Sequence, residues 1–493
     1  MWHNSSILHF SWFQRQLVLQ LIIRFVSVSS VFLIVSIHCC NDVFGQTVYV
    51  SSSSGNDEND GLSVDMPVRT LTAGLEKGTT VLLKAGDVFY ESLFTNGKRV
   101  GRYGDGVNPL LCGYKRIINV EKWEHVDRHI WRLKLSDDNF IGNVKYKGSS
   151  FVNNIGCIHE YDKDLIHGRR LQYLKDLSED WDFWQTERFD KNMPASEFDY
   201  IYLYLSTNPQ SLKLEFAIRT NAAKVYNTTI ENIDFIGFGF GVSCGTETIL
   251  KNCHIDAIGG RLFVGYSSFT SYGNGIEFYI SSDKENCLIE GCHISRCYDC
   301  GITIQGSGYE KATPRSIIVR NNLIENCCQG WEDFLRNGDD VLFENCFFEG
   351  NIVLNSGNTS GFGYENERFK FCHLLGNNVK GDKGMIIRNN TFVGGNFYCS
   401  GAFQGRYQSN VWQDNTCVIR RGDYLLSNYD GTKNVIRIPI EKGEFRTLAA
   451  ATKDAIKKYR ELTGDETTRF IIRTERNIER RCIKLKKQFN NSL

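Results

Sequence analysis

From residue 230 onward the chain repeats a six-residue block that opens and closes on an apolar residue and in most instances carries Asn or a similar residue at its third place and Cys or Asn at its fourth. The blocks are 230–235 (IENIDF), 250–255 (LKNCHI), 289–294 (IEGCHI), 319–324 (VRNNLI), 343–348 (FENCFF), 369–374 (FKFCHL), 387–392 (IRNNTF) and, degenerate, 412–417 (WQDNTC). Their third positions lie 18 to 39 residues apart. Uneven spacing around a fixed block is the mark of a solenoid whose coils stay constant while loops on one side vary in length.

Between many of the blocks stands a second short run that begins with Gly: GFGV at 239, GIEF at 275, GITI at 301, GWED at 330, GFGY at 361 and GAFQ at 401. Runs of three to six residues are too short for helices, and their β-branched and aromatic content suits strands. Asn and Gly tolerate the left-handed backbone that a sharp corner requires, and Asn side chains can hydrogen-bond the neighbouring coil. The pattern predicts an all-β fold, a parallel β-helix over 216–430. A leucine-rich horseshoe would need a Leu framework that is absent, and a propeller would need blades of four comparable strands.

The stretch 94–215 lacks the repeat but contains strand-like runs such as HIWRLKL at 129 and YIYLYLS at 200, which predicts an inserted β-rich subdomain. In 431–493, Leu448, Ala451, Ala455, Ile456, Tyr459 and Leu462 recur at helical spacing and Gly464 offers a stop. This segment is expected to cap the open end of the coil.

Lys plus Arg and Asp plus Glu each total 57 among 493 residues, so no field from the whole chain recruits a polyanion. Residues 46–440 hold 41 basic and 48 acidic side chains, a net charge of −7, which argues against nucleic acid as a partner. The excess of positive charge over 441–493 reads as a solvated helix face.

Residues 1–45 combine Arg15 and Arg24, an apolar run over 25–37, and Val43 and Gly45 at the spacing of a cleavage site. They read as a secretory signal, the rival being an anchor over 17–37 that Gln20 and Arg24 interrupt. The expected location is secreted, periplasmic or cell-surface, with no membrane span after processing. Removal of this segment leaves 15 of the 17 Cys. Cys287, Cys292, Cys297 and Cys300 look like a zinc set, but Cys253, Cys292, Cys346 and Cys372 share one place in the repeat and are expected to stack as buried thiols.

The run VYVSSSSGNDENDGLSVDMPVRTLTAGL at 48–75, followed by VLLKAGDVFYESL at 81–93, resembles the N-terminal cap of exported right-handed β-helix proteins of the pectin-lyase-like superfamily. IGG at 258, YGNGIEF at 272 and YDCGITIQG at 298 are similar to coils of its carbohydrate-active members. The resemblance covers most of 46–430. It implies a right-handed coil with 46–93 as cap and first turns, and a polysaccharide or oligosaccharide as partner. It leaves the reaction open among glycoside hydrolysis, elimination at a uronate and binding without catalysis.

Neighbouring coils stack side chains in rows about 4.8 Å apart, so acids distant in sequence can converge. Glu277, Thr303 and Glu332 each stand two residues after a Gly that opens a run, which places the two acids in one column with Thr303 between them. Asp299 precedes the middle run, and Asp333 and Glu365 are further acids nearby. Hydrolysis needs one carboxylic acid to protonate the leaving oxygen and one carboxylate to activate water, so Glu277, Asp299 and Glu332 are the catalytic candidates. Tyr272, Tyr298 and Trp331 are candidate sugar-stacking surfaces, and Arg261, Asn274, Gln305 and Gln404 candidate hydrogen-bonding groups. His254 and His293 share the position after the Cys and read as a structural ladder. No cofactor is expected; calcium enters only if the reaction is elimination. The NDENDG loop at 56 misses the spacing of a calcium loop and reads as a turn in the cap.

Overall fold

The computed structural model describes residues 45–117, 120–134, 140–141, 155–171, 173–185, 200–218, 221–263, 270–306, 313–335, 343–357, 372–377, 384–401, 410–427 and 435–492. Among them, three ten-stranded sheets run side by side, and the chain visits them in turn. One turn reads Lys284–Glu290 in the first sheet, His293–Cys297 in the second and Cys300–Gly306 in the third; the next reads Pro314–Arg320, Leu323–Glu325 and Gln329–Leu335. Successive turns pair in parallel and in register, Leu288 with Ile318, Ile294 with Ile324 and Ile302 with Trp331. This is a parallel β-helix. Its core is a stack of inward residues that includes Ile230, Leu250, Ile289, Val319, Phe348 and Ile387, all nearly inaccessible to solvent.

The third and fourth places of the repeat do different work at the corner from the first sheet to the second. The third takes a left-handed backbone, with φ between 51° and 64° at Asn232, Asn252, Gly291, Asn321, Gly350, Asn389 and Asp414. The fourth points inward, where Asn322, Asn351, Asn390 and Asn415 form a buried ladder. Asn351 Nδ2 donates to Val319 O of the preceding turn at 2.9 Å, and its Oδ1 accepts from Asn322 N at 3.0 Å. Each amide thus satisfies backbone groups that the tight corner leaves without a strand partner.

Two of the eight blocks occupy other corners. FENCFF places Asn345 (φ 53°) just before the first-sheet strand Phe347–Glu349, in line with Ser316 and Asn286 inside the neighbouring strands of that sheet, and the corner after it is made by Gly350 and Asn351. Only Cys372, His373 and Leu374 of FKFCHL lie among the described residues, and they lead into the third sheet. Cys346 and Cys372 therefore do not stack on Cys253 and Cys292, because left-handed corners followed by a small residue recur at more than one vertex. Fifteen cysteines are described, all as free thiols and all but Cys112 buried. Of the Gly-led runs, GFGY lies outside the described residues, and Gly401 closes the strand Phe397–Gly401 rather than opening one.

The coil starts earlier than the repeat suggests. Leu93–Asn96, Arg99–Tyr103 and Leu110–Cys112 are strands of the three sheets, so the inserted part begins after Cys112 and not at 94. It folds as antiparallel five- and four-stranded sheets around Leu133, Ile158, Phe183, Ile201 and Phe216. The coil then resumes at Asn221–Tyr226, which pairs with Leu93–Asn96.

Helix α1 (Leu71–Lys77) covers the first turn and is capped by Thr70, whose backbone is held by the Asp57 carboxylate of the NDENDG turn. At the other end, α2 (Leu448–Thr463) stops at Gly464, φ 72°, and buries Ala451, Ala455 and Tyr459. Leu462, expected on the buried side, is 38% exposed, and Thr452 and Thr463 are buried instead. Arg469–Ile472 adds the last strand of the second sheet. A further helix, α3 (Glu475–Asn490), then runs back over that sheet and sets Ile478, Cys482, Leu485 and Phe489 against Leu323, Leu354, Val393 and Val418.

Candidate active site

The outer face of the second sheet is covered at one end by the inserted subdomain, through Tyr114, Cys157, Ala217 and Tyr298, and at the other by α3. The third sheet carries the candidate acids. In its strand Ile276–Tyr279, Ile276 and Phe278 belong to the core, so alternation turns Glu277 and Tyr279 outward; Ile302 and Ile304 likewise turn Thr303 and Gln305 outward. Glu277 pairs with Thr303 and Thr303 with Glu332. The two glutamates thus share one column, two strand steps or roughly 9.6 Å apart at the backbone.

The middle strand serves both acids. Thr303 Oγ1 donates to Glu332 Oε2 at 2.9 Å, and Gln305 Nε2 donates to Glu277 Oε1. Glu277, Thr303 and Glu332 are 9%, 0% and 6% exposed, so the pair lies in a site shielded from bulk water. Asp299 is buried at the start of the middle strand, where its carbonyl accepts from Gln329 N. The Cys300 thiol beside it is pushed well above its ordinary value, first by burial and then by the nearby Glu332 and Asp299 carboxylates.

Of the expected sugar contacts, Gln305 touches the site through Glu277. Asn274 is buried beside it, and its Oδ1 accepts from Cys300 N at 3.1 Å, which fixes the start of the middle strand. Trp331 does not reach the site: it is 1% exposed, turned inward, with its ring 4.9 Å from Phe348. Tyr298 packs under the inserted subdomain instead. Asp333 pairs with Ile304 and falls in an inward column. Arg261 and Tyr272 pair in a short hairpin, but their side chains, like Gln404 and Glu365, lie outside the described residues.

His254 and His293 stack at 4.5 Å on the second sheet. They sit in a chain of polar contacts that joins the inserted subdomain to α3: Asp164 to Arg296, Arg296 to Asp256, Asp256 to Ser295, Ser295 to His254, His254 stacked on His293, His293 to Glu325, and Glu325 to Lys486. Burial would raise the Asp256 carboxyl, but Arg296 holds it below its ordinary value. Among the described residues no three His, Cys, Asp or Glu gather to hold a metal ion, and no helix is long and apolar enough to cross a membrane.

The sequence pattern missed an approach to the acids on the same face. Phe94, Lys224 and Ser243 continue the column of Glu277, and Tyr226 and Tyr279 flank it. Phe94, Lys224 and Tyr226 precede the repeat, and Phe94 lies across the insertion from the others, so no local signal joins them to Ser243 and Tyr279.

No protein-family model matches the chain, and no curated protein matches it in sequence. Among solved structures the chain is similar in path to one described as the complex structure of XylC with xylose, at 12% identity and a TM-score of 0.43, over 86% of this chain and 82% of that one. It is also similar to the native GH136 lacto-N-biosidase from Eubacterium ramulus, at 14% identity and a TM-score of 0.35, over 87% of this chain and 68% of that one. Neither similarity bears on the chemistry, which rests on the side chains described above.

Proposed function

We propose that the protein is an exported carbohydrate-active enzyme that hydrolyses a glycosidic bond with Glu277 and Glu332, Asp299 remaining a third candidate acid at the start of the strand between them. The observation that carries this reading is the buried, in-register pair of glutamates on an outer sheet face, each held by a donor from the strand between them. One carboxylic acid protonates the departing oxygen while the other, as carboxylate, takes a proton from the water that attacks the anomeric carbon; the C–O bond breaks and water is divided between the two products. A backbone separation of roughly 9.6 Å favours the wider spacing of an inverting pair, about 6.5–9.5 Å between carboxyls, over the roughly 5 Å of a retaining one. Digestion of a panel of glycans followed by mass spectrometry tests the reading. Products that gain one water support hydrolysis; unsaturated products would instead assign elimination, and binding without products would assign a non-catalytic role.

A further inference from the structure

The outer face of the third sheet changes character along the coil. At the acids themselves it is buried; on the turns before them, and at Tyr279 beside Glu277, it is open. Phe94 is 58% exposed, Tyr226 39% and Tyr279 41%. The three stand on strands of one sheet and on one face: Phe94 pairs with Lys224, Lys224 with Ser243 and Ser243 with Glu277, while Tyr226 and Tyr279 lie two residues further along their strands. The Tyr226 ring lies over Gly245 of the next strand, where an added Cβ would fall 1.9 Å from its Cδ1. The bare backbone at 245 therefore makes room for the ring on the sheet surface. Lys224, exposed among these rings, has no hydrogen bond or ion pair among the described residues.

Single exposed aromatics are ordinary, but three aligned on one face and leading to a buried acid pair are not a scattered surface. Rigid rings with one face free suit the apolar faces of sugar rings, and a cation between them selects negative charge. From Phe94 to Glu277 is three strand steps, about 14 Å, more than one sugar ring in length.

We propose that this open face is a substrate track in which Phe94, Tyr226 and Tyr279 stack on sugar rings and Lys224 pairs with a carboxylate or sulfate on the chain. The substrate class is then an extended acidic glycan, bound on the side of the acids that faces the start of the coil. This inference rests on the carbohydrate reading above but not on the catalytic role of the glutamates.

The test is affinity electrophoresis of the full chain in gels containing polygalacturonate, alginate or κ-carrageenan, each beside its carboxyl-reduced or desulfated form. The proposal expects retardation by at least one acidic polymer and weaker retardation by its neutral form; whether the uronates or the sulfated chain bind assigns the anion. Lys224→Gln should weaken binding about tenfold and remove the preference for the acidic form. Phe94→Ala/Tyr226→Ala/Tyr279→Ala should weaken binding to both forms by a similar factor or more. No retardation by any acidic polymer, or equal retardation of wild type and both variants, overturns the track. If the wild type cleaves a glycan that the track variants bind and cleave equally well, the track fails and the acid pair stands. If the track variants lose binding to a polymer that the wild type never cleaves, the track stands and the hydrolytic reading fails.

Discussion

Glu277 and Glu332 project from the same face of one sheet, and the strand between them supplies a hydrogen-bond donor to each. If both are part of the reacting machinery, Glu277→Gln and Glu332→Gln should each lower turnover by roughly 10²–10⁴-fold, the usual contribution of a positioned acid or base. Gln keeps the shape, so thermal midpoints should move little. Steady-state rates with calorimetry on the same samples check this; a variant that keeps full turnover removes that residue from the mechanism.

Thr303 separates these acids and holds one of them. Thr303→Val keeps the volume and deletes the donor, leaving Glu332 Oε2 without its 2.9 Å partner. Turnover should fall about tenfold, equivalent to about 1.4 kcal/mol, with a changed pH–rate profile. Thr303→Ser restores the hydroxyl and should recover most of the rate. Equal rates and profiles for Val and Ser would mean that the hydroxyl is not used.

The repeat itself predicts opposite outcomes at adjacent residues. Asn389 is exposed with φ 55°, so Asn389→Gly should be nearly neutral. Asn390 is buried, donates to Phe348 O at 2.8 Å and accepts from Asn351 N at 2.9 Å. Asn390→Leu strands those groups inside the coil and should cost about 3 kcal/mol or more in denaturant unfolding. Similar losses at both sites would contradict the ladder.

Much of the coil was legible because corner and ladder chemistry are local: a left-handed residue and an inward Asn sit side by side in the block. Placing FENCFF and FKFCHL at the wrong vertex follows from the same fact, since a six-residue block carries no mark of which corner it turns. The column of Glu277, Thr303 and Glu332 was readable from the Gly that opens each strand. The same register makes Trp331 equivalent to Ile302 and turns it inward, so its place in the core was readable by alternation, and the expectation of a sugar-stacking role weighed its aromatic type instead. Phe94 and Lys224 are neighbours only because the coil resumes at Asn221 after the inserted subdomain, a pairing that no short-range pattern encodes.

Acid should weaken the fold through His373. Burial pushes this imidazole down to about 4, although its Nε2–H donates to Gly394 O; Ser356 Oγ donates to Nδ1. The unfolded chain binds this proton near pH 6.5 and the folded chain only near 4, so the unfolded state takes up the extra proton as pH falls between them. The contribution is therefore present above pH 6.5 and is lost toward pH 4, at up to about 1.4 kcal/mol per pH unit. Denaturant midpoints across that window should fall less steeply for His373→Gln than for wild type, and an unchanged slope would contradict the assignment.

The most direct measurement is proton NMR of the first product formed from a glycan that the digestion panel shows to be cleaved. The expected product is a new reducing end whose anomeric configuration is opposite to that of the bond broken, forming at least about 10²-fold more slowly in Glu277→Gln. A product with retained configuration, an unsaturated sugar, or cleavage at the wild-type rate in that variant would contradict the assignment.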